Sequence, residues 1–271
     1  MPNRKILFLD IDGTLLTADR ELTEENRRAM EKARKMGHKL VICTGRPLFG
    51  ALNIAERYHL ADPGFFLICY NGGQIYDCAS KKSIFKKSLD PADVRLIFKE
   101  ADRLGLHLQS YSEKELLIRE LDEESKSYLY YVQCAYRIVP ELPDGVTDPP
   151  GKVLSISLDH PEKLEELRQS ADEKTGGRVS SFYSHPSYLE FVPKGISKGS
   201  AVRMLCEHLG ISLENSLAAG DMENDLSMIE AAGIGCAMAN ASPQVKAAAD
   251  YVTVRDCNNS GVAEIIERFM L

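Results

Sequence analysis

The chain has 271 residues, 40 of them acidic and 33 basic, for a formal charge of −7. Its 44% hydrophobic and 27% charged content matches a globular chain of one large or two modest domains, and excludes long disorder and a small disulfide-stapled scaffold. No apolar run approaches the ~20 residues of a membrane span, and the negative balance gives no support to a nucleic-acid footprint.

Taken in chain order, Lys5 to Leu9 reads as a buried strand that ends at Asp10, and Asp12-Gly13-Thr14 turns the chain. Glu21 to Met36 has a helical pattern, with Thr23 placed to cap it, Glu24 and Glu25 at its positive end and Gly37 stopping it. His38 to Cys43 is a second strand, followed by Thr44-Gly45-Arg46-Pro47, a helix over Leu48 to Tyr58, and a third strand over Phe65 to Cys69. Short apolar strands alternating with helices predict right-handed crossovers and a mostly parallel sheet. The middle of the chain has a different rhythm. Helices over Pro91–Leu104, Asp122–Tyr136 and Pro161–Thr175 are mixed with strand-like pieces in Leu106–Arg119, at Lys152–Leu158, and in a hairpin of Val179–Tyr183 with Tyr188–Val192. A surface loop is expected over 140–150. The βα rhythm returns with a helix over Ser200–Leu209 and strands at Ser216–Ala219, Ile234–Met238 and Tyr251–Val254. Helical stretches over Asp225–Ala231, Pro243–Ala249 and Gly261–Phe269 accompany them. The expected architecture is an α/β fold: a Rossmann-like, mostly parallel core split over residues 1–81 and 191–271, with an inserted α+β domain over 82–190.

The chemistry gathers at strand ends. Asp10-Ile11-Asp12-Gly13-Thr14-Leu15 puts two carboxylates directly after a hydrophobic strand, where they are costly unless paired. In an open parallel sheet, ligands bind beyond the carboxyl ends of the strands. Gly220-Asp221-Met222-Glu223-Asn224-Asp225 repeats the arrangement after Ser216–Ala219, with Asp221 and Asp225 four residues apart. Oxygen ligands at such positions suit Mg2+, and the spacing lacks the regular ligand order of a calcium loop. Thr44-Gly45 offers a hydroxyl and a backbone N–H at a helix entrance, a ready anion site. Lys198, with Lys194 as a competitor, stands before another helix and could neutralise a phosphate. Together these groups fit phosphoryl transfer: a carboxylate nucleophile, a second carboxylate exchanging a proton, and cations on the phosphoryl oxygens.

With these residues in place, the sequence resembles the haloacid dehalogenase-like (HAD) phosphatases over essentially its whole length, specifically the Cof-type branch with a C2-type (IIB) cap. Asp10-x-Asp12-Gly13-Thr14 and Gly220-Asp221-x-x-Asn224-Asp225 carry the resemblance, supported by Asn71-Gly72, Arg46 and Met238-Ala239-Asn240-Ala241. It implies Asp10 as nucleophile, Asp12 as general acid/base, Thr44 and Gly45 on the phosphoryl group, and Lys198 orienting the nucleophile. It further implies Mg2+ held by Asp10, the Asp12 carbonyl and Asp221, with Asp225 on metal-bound water and Asn224 on phosphate or ordered water. The implied reaction is hydrolysis of a small phosphorylated metabolite, with sugar phosphates as the leading class and flavin mononucleotide or pyridoxal phosphate as other choices. A phosphotransferase or hexose-phosphate mutase would use the same aspartyl-phosphate, and a signalling receiver is disfavoured by the insertion of roughly 100 residues, a domain's worth of chain.

Within the cap, Arg119, Arg137, Lys152, Tyr183 and His185 are the polar candidates for a leaving group. Tyr128, Tyr131 and Cys134-Ala135 read as an apolar helix face against the cap sheet, or as a dimer surface if exposed, so a homodimer stays open. The seven cysteines are odd in number and carry no CxxC. They predict free thiols and, with an N-terminus whose first apolar run contains carboxylates, a cytoplasmic protein.

Overall fold

The computed structural model describes residues 4–145 and 148–271, so two positions of the loop expected over 140–150 lie outside the described residues. The chain opens with β1 (Ile6–Leu9), α1 (Glu24–Lys35), β2 (Lys39–Cys43), α2 (Leu48–Arg57) and β3 (Phe65–Cys69), then β4 (Gln74–Asp77) and β5 (Lys82–Lys86). The cap follows as α3 (Pro91–Leu104), β6 (His107–Tyr111), β7 (Leu116–Ile118), α4 (Glu123–Val132), β8 (Tyr136–Ile138), β9 (Val153–Ile156), α5 (Lys163–Thr175), β10 (Val179–His185) and β11 (Tyr188–Pro193). The chain returns through α6 (Lys198–Leu209), β12 (Ser216–Gly220), α7 (Leu226–Ala231), β13 (Ile234–Ala237), α8 (Pro243–Ala248), β14 (Tyr251–Val252) and α9 (Gly261–Phe269).

Among the described residues, the larger sheet has eight strands in the order β14-β13-β12-β1-β2-β3-β4-β5. Its first six strands are parallel, and β4 and β5 add antiparallel at the edge. Strand residues alternate between two helical layers, as a period of two requires. Leu7, Leu9, Leu40 and Ile42 share a core with Met30 of α1 and Ile266 of α9. Ile6, Phe8, Val41 and Cys43 pack with Val202 and Leu205 of α6 on the other side. The smaller sheet, β10-β11-β9-β6-β7-β8, is antiparallel except for β7–β8, and its core with α3 and α5 centres on Phe98, Leu164 and Phe191.

Several details differ from the sequence expectations. The first helix begins at Glu24, because the Thr23 hydroxyl accepts from Asn26 N at 3.2 Å and caps it there. Glu21 lies outside it and pairs with Arg57. The fourth helix ends at Val132 instead of Tyr136, because Gln133 takes a left-handed conformation there, and Tyr136 instead opens β8. The hairpin of β4 and β5 was not expected. By sheet membership Lys82–Lys86 pairs in the larger sheet and Phe191–Pro193 in the smaller one.

Candidate active site

Parallel strands deliver their C-terminal residues to one edge of the sheet. Asp10 follows β1, Thr44 follows β2 and Asp221 follows β12, and backbone bonds from Asp10 N to Ala219 O (3.1 Å) and from Thr44 N to Ile68 O (2.8 Å) continue the sheet pairing to the site itself. Lys198 arrives from the first turn of α6. Ser197 and Ser200 cap that helix reciprocally, which fixes the position of the lysine stem.

The centre is a buried charge cluster. Lys198 Nζ donates to Asp10 Oδ1 at 2.5 Å and to Asp225 Oδ1 at 2.6 Å, and its side chain has no solvent exposure. Asp225 Oδ2 accepts from Asp221 N (3.0 Å) and Met222 N (3.1 Å), so this carboxylate folds the loop around itself. Asp221 and Asp225 do not share a helix face, because a loop and a short 3-10 turn over Glu223–Asp225 separate β12 from α7. Asp221 Oδ1 accepts from the Thr14 hydroxyl at 2.9 Å. Oxygens of Asp10, Asp221 and Asp225 lie within 4.8 Å of one another.

Three carboxylates around one ammonium leave negative charge uncompensated. Burial, and then the charge of Asp225, raise the Asp10 carboxyl well above the usual range despite Lys198. Burial and Asp225 also push Asp221 up to about 7, against the Thr14 hydrogen bond. Burial works against the Lys198 ammonium, yet Asp10 and Asp225 outweigh it and hold its pKa above that of an ordinary lysine. An all-oxygen set short of positive charge fits a hard divalent cation. Asp221, and the Asp10 oxygen that Lys198 leaves free, are the available carboxylate ligands, while both oxygens of Asp225 are already engaged.

Asp12 stands apart from this cluster. Its carboxylate is half exposed and is gripped by the largely buried Arg46, with Nη2 at 3.0 Å from Oδ1 and 2.9 Å from Oδ2, and Nε at 3.2 Å from Oδ2. Gly13 between them has φ +81°, and a Cβ there would come within 2.4 Å of Asp221 Oδ2, so the turn accepts only glycine without displacing a member of the cluster. Thr44 is buried and its hydroxyl accepts from Arg46 N at 3.2 Å.

A cavity of about 570 Å³ opens between core and cap, with Asp10, Asp12, Thr44 and Gly45 on its core side and Lys152 and Glu190 on its cap side. Asn224 lines both this cavity and a neighbouring one of about 500 Å³. Of the two competing lysines, Lys198 enters the cluster, while Lys194 is exposed and is engaged through its backbone, whose N–H donates to Arg178 O and whose carbonyl accepts from Lys87 Nζ. Of the cap candidates, Lys152 and His185 line the large cavity. Arg119 is committed to Asp102 and the Leu142 carbonyl, Arg137 to Glu115, and Tyr183 lines the second cavity. The tyrosine face divides: Tyr128 is buried, whereas Tyr131 is half exposed at the cavity rim. The sequence reading missed Glu190, and its signal was a single charge in the otherwise apolar run Tyr188-Leu189-Glu190-Phe191-Val192.

The profile of the haloacid dehalogenase-like hydrolases matches residues 7–266. The chain is 31% identical over 272 residues to the Bacillus subtilis 5-amino-6-(5-phospho-D-ribitylamino)uracil phosphatase YcsE, covering 98% of this chain and 96% of that one. The crystal structure of a haloacid dehalogenase-like hydrolase from Bacteroides thetaiotaomicron superposes with a TM-score of 0.90 at 33% identity, covering 98% and 99%. A structure of the HAD subclass IIB sugar phosphatase superposes at 0.82 with 25% identity, covering 98% of each chain.

Proposed function

This chain belongs to the haloacid dehalogenase-like hydrolases, and we propose that it hydrolyses a small phosphate monoester carried on a polyhydroxylated chain, a sugar phosphate first among these. The observation that carries the reading is the buried Asp10–Lys198 pair, with Asp221 and Asp225 around it, facing a cavity that a cap roofs. The relatives' own substrates support the class, since one removes phosphate from a ribityl chain and another from a sugar. All seven cysteines are free thiols, which supports a reducing, cytoplasmic setting. No helix among the described residues is long and apolar enough to cross a membrane.

In this reading Lys198 orients the Asp10 carboxylate, which attacks phosphorus while the ester P–O bond breaks. Asp12 gives its proton to the departing alkoxide. It then takes a proton from water, whose oxygen attacks the aspartyl-phosphate and releases inorganic phosphate and the Asp10 carboxylate. Arg46 holds Asp12 at the boundary of core and cavity, where it meets the leaving group. Thr44, Gly45 and Asn224 hold the phosphoryl oxygens. Mg2+ would be held by Asp10 and Asp221, with Asp225 behind them and the Asp12 carbonyl completing the protein ligands. When bound, the cation supplies positive charge against the phosphoryl oxygens and the crowded carboxylates.

Phosphate release from glucose 6-phosphate, ribose 5-phosphate, fructose 1-phosphate, flavin mononucleotide, pyridoxal 5′-phosphate and p-nitrophenyl phosphate, with and without Mg2+, tests the reading. Release that needs Mg2+ and disappears in Asp10→Asn is the expected result. Undiminished turnover in that variant overturns the nucleophile, and transfer to an added sugar in place of release overturns hydrolysis in favour of a phosphotransferase.

A further inference from the structure

A lysine and a glutamate with almost no solvent exposure meet in the roof of the cavity. Lys152 is 2% and Glu190 3% exposed, and Lys152 Nζ donates to Glu190 Oε2 at 2.9 Å. A buried ion pair kept only for stability needs its remaining lone pairs and protons satisfied, and an apolar pair of similar volume is commonly as stable. Here the hydrogen bonds converge on one atom. Asn71 Nδ2 donates to the same Glu190 Oε2 at 3.0 Å, which leaves Oε1 to accept from elsewhere. Lys152 spends one of its three N–H groups on Glu190, and its ammonium lies 5.2 Å from the centre of the Tyr111 ring. That ring is held by its hydroxyl, which accepts from Gln109 Nε2 at 2.9 Å and donates to the Tyr128 hydroxyl at 3.0 Å. The cap therefore presents a fixed donor and a fixed acceptor side by side in the wall of the cavity that contains Asp10.

Asn71 ties this pair to the core. Its backbone N–H donates to Thr44 O at 3.0 Å, and its φ of +53° is a strained value for a residue with a side chain. With Nδ2 committed to Glu190, Oδ1 is buried without a partner, which costs stability for a buried acceptor.

Resting on the phosphatase reading above, we propose that Lys152 and Glu190 form the leaving-group subsite. Lys152 donates to one hydroxyl of a polyhydroxylated leaving group, Glu190 Oε1 accepts from its neighbour, and Asn71 locks the pair to the Thr44 strand end. A vicinal diol matches this donor and acceptor, whereas a p-nitrophenyl group has no hydroxyl to donate to Glu190. The subsite is complete only when the cap sits on the core, because Glu190 comes from β11 and Asn71 from the turn after β3.

The readout is the ratio of kcat/KM for the best-used polyol phosphate of the panel to that for p-nitrophenyl phosphate. A Lys152→Met/Glu190→Gln double variant leaves no unpaired buried charge, and the expected result is a fall in this ratio of at least thirtyfold. Arg137→Met, which breaks a pair with Glu115 elsewhere on the cap, should keep the wild-type ratio. Wild-type enzyme gives an independent test through mono-deoxy analogues of the best substrate. At least one should lose tenfold or more in kcat/KM, since a site built to bond a hydroxyl rejects the analogue lacking it. A ratio unchanged within threefold in the folded double variant, or deoxy analogues all used equally, overturns the subsite and leaves the phosphatase reading standing. No release even from p-nitrophenyl phosphate overturns both.

Discussion

At the scale of single residues, the site is a problem of crowded like charge. Asp221 shows it most directly, because burial and the charge of Asp225 push its carboxyl out of the ordinary carboxylate range, up to about 7. Without a cation, the native state therefore holds a proton on Asp221 between roughly pH 4 and 7 that the unfolded chain has released. Stability from this group is fully present below the unfolded value and is lost as pH rises through the folded one. In EDTA, the melting temperature should fall from pH 5 to pH 8, and Asp221→Asn should flatten that fall. Mg2+ must displace the same proton, so the stabilisation it gives should grow over the same interval. A thermal scan series in EDTA and in Mg2+ reads both effects, and an identical EDTA slope in wild type and variant would contradict the assignment.

At the scale of elements, the loop after β1 is the clearest case of sequence dictating geometry. Leu15 N returns to Asp10 O and Leu16 N to Ile11 O, closing a tight turn that places Asp10 inward and Asp12 toward Arg46. Gly13 and Gly37 separate backbone strain from crowding. Both have positive φ, +81° and +90°, but a Cβ at Gly37 meets nothing within 4 Å while one at Gly13 meets Asp221. Alanine at either position should cost about 1 kcal/mol or more of stability. Only Gly13→Ala should also lower kcat, by 100-fold or more, and circular dichroism melting beside steady-state kinetics distinguishes the two. The strands and turns that carry this chemistry were legible because a carboxylate directly after a buried apolar run is expensive and demands a reason. What escaped the sequence obeys a weaker signal. β4 and β5 lie at the sheet edge, and Lys82-Ser83-Ile84-Phe85-Lys86 contains only two apolar residues between lysines. β8 is three residues long, all exposed. Glu190 shares its strand face with Tyr188 and Val192, where a period of two would count a charge as facing solvent. It is buried because that face meets Lys152 and the core-side Asn71, partners more than 35 residues away in sequence.

At the scale of the molecule, the proposed catalytic and leaving-group residues come from different sheets, so turnover in this reading depends on how firmly the two are held together. The Glu190–Asn71 bond is one tie. Another crosses the cavity rim: Arg20 Nη1 donates to the carbonyls of Tyr130 (3.4 Å) and Tyr131 (3.1 Å), near the C-terminal end of α4. The Arg20 guanidinium also lies 4.9 Å from the Tyr131 ring centre and 5.8 Å from that of Tyr130. A cation at a helix C-terminus meets the negative end of the helix dipole, and the ring contacts add to it. Together these are worth about 1–2 kcal/mol, enough to shift a closed–open equilibrium roughly 5- to 30-fold. Arg20 lies outside the charge cluster, so its loss should act on closure and leave the phosphoryl chemistry intact. Arg20→Ala should raise KM for the preferred polyol phosphate three- to tenfold without a comparable fall in kcat, and should increase the radius of gyration in small-angle scattering of the substrate-free protein. The direction follows from population, since a substrate that needs the closed cap binds less tightly when the closed fraction shrinks. Unchanged KM together with an unchanged scattering radius would show that Arg20 does not hold the cap shut.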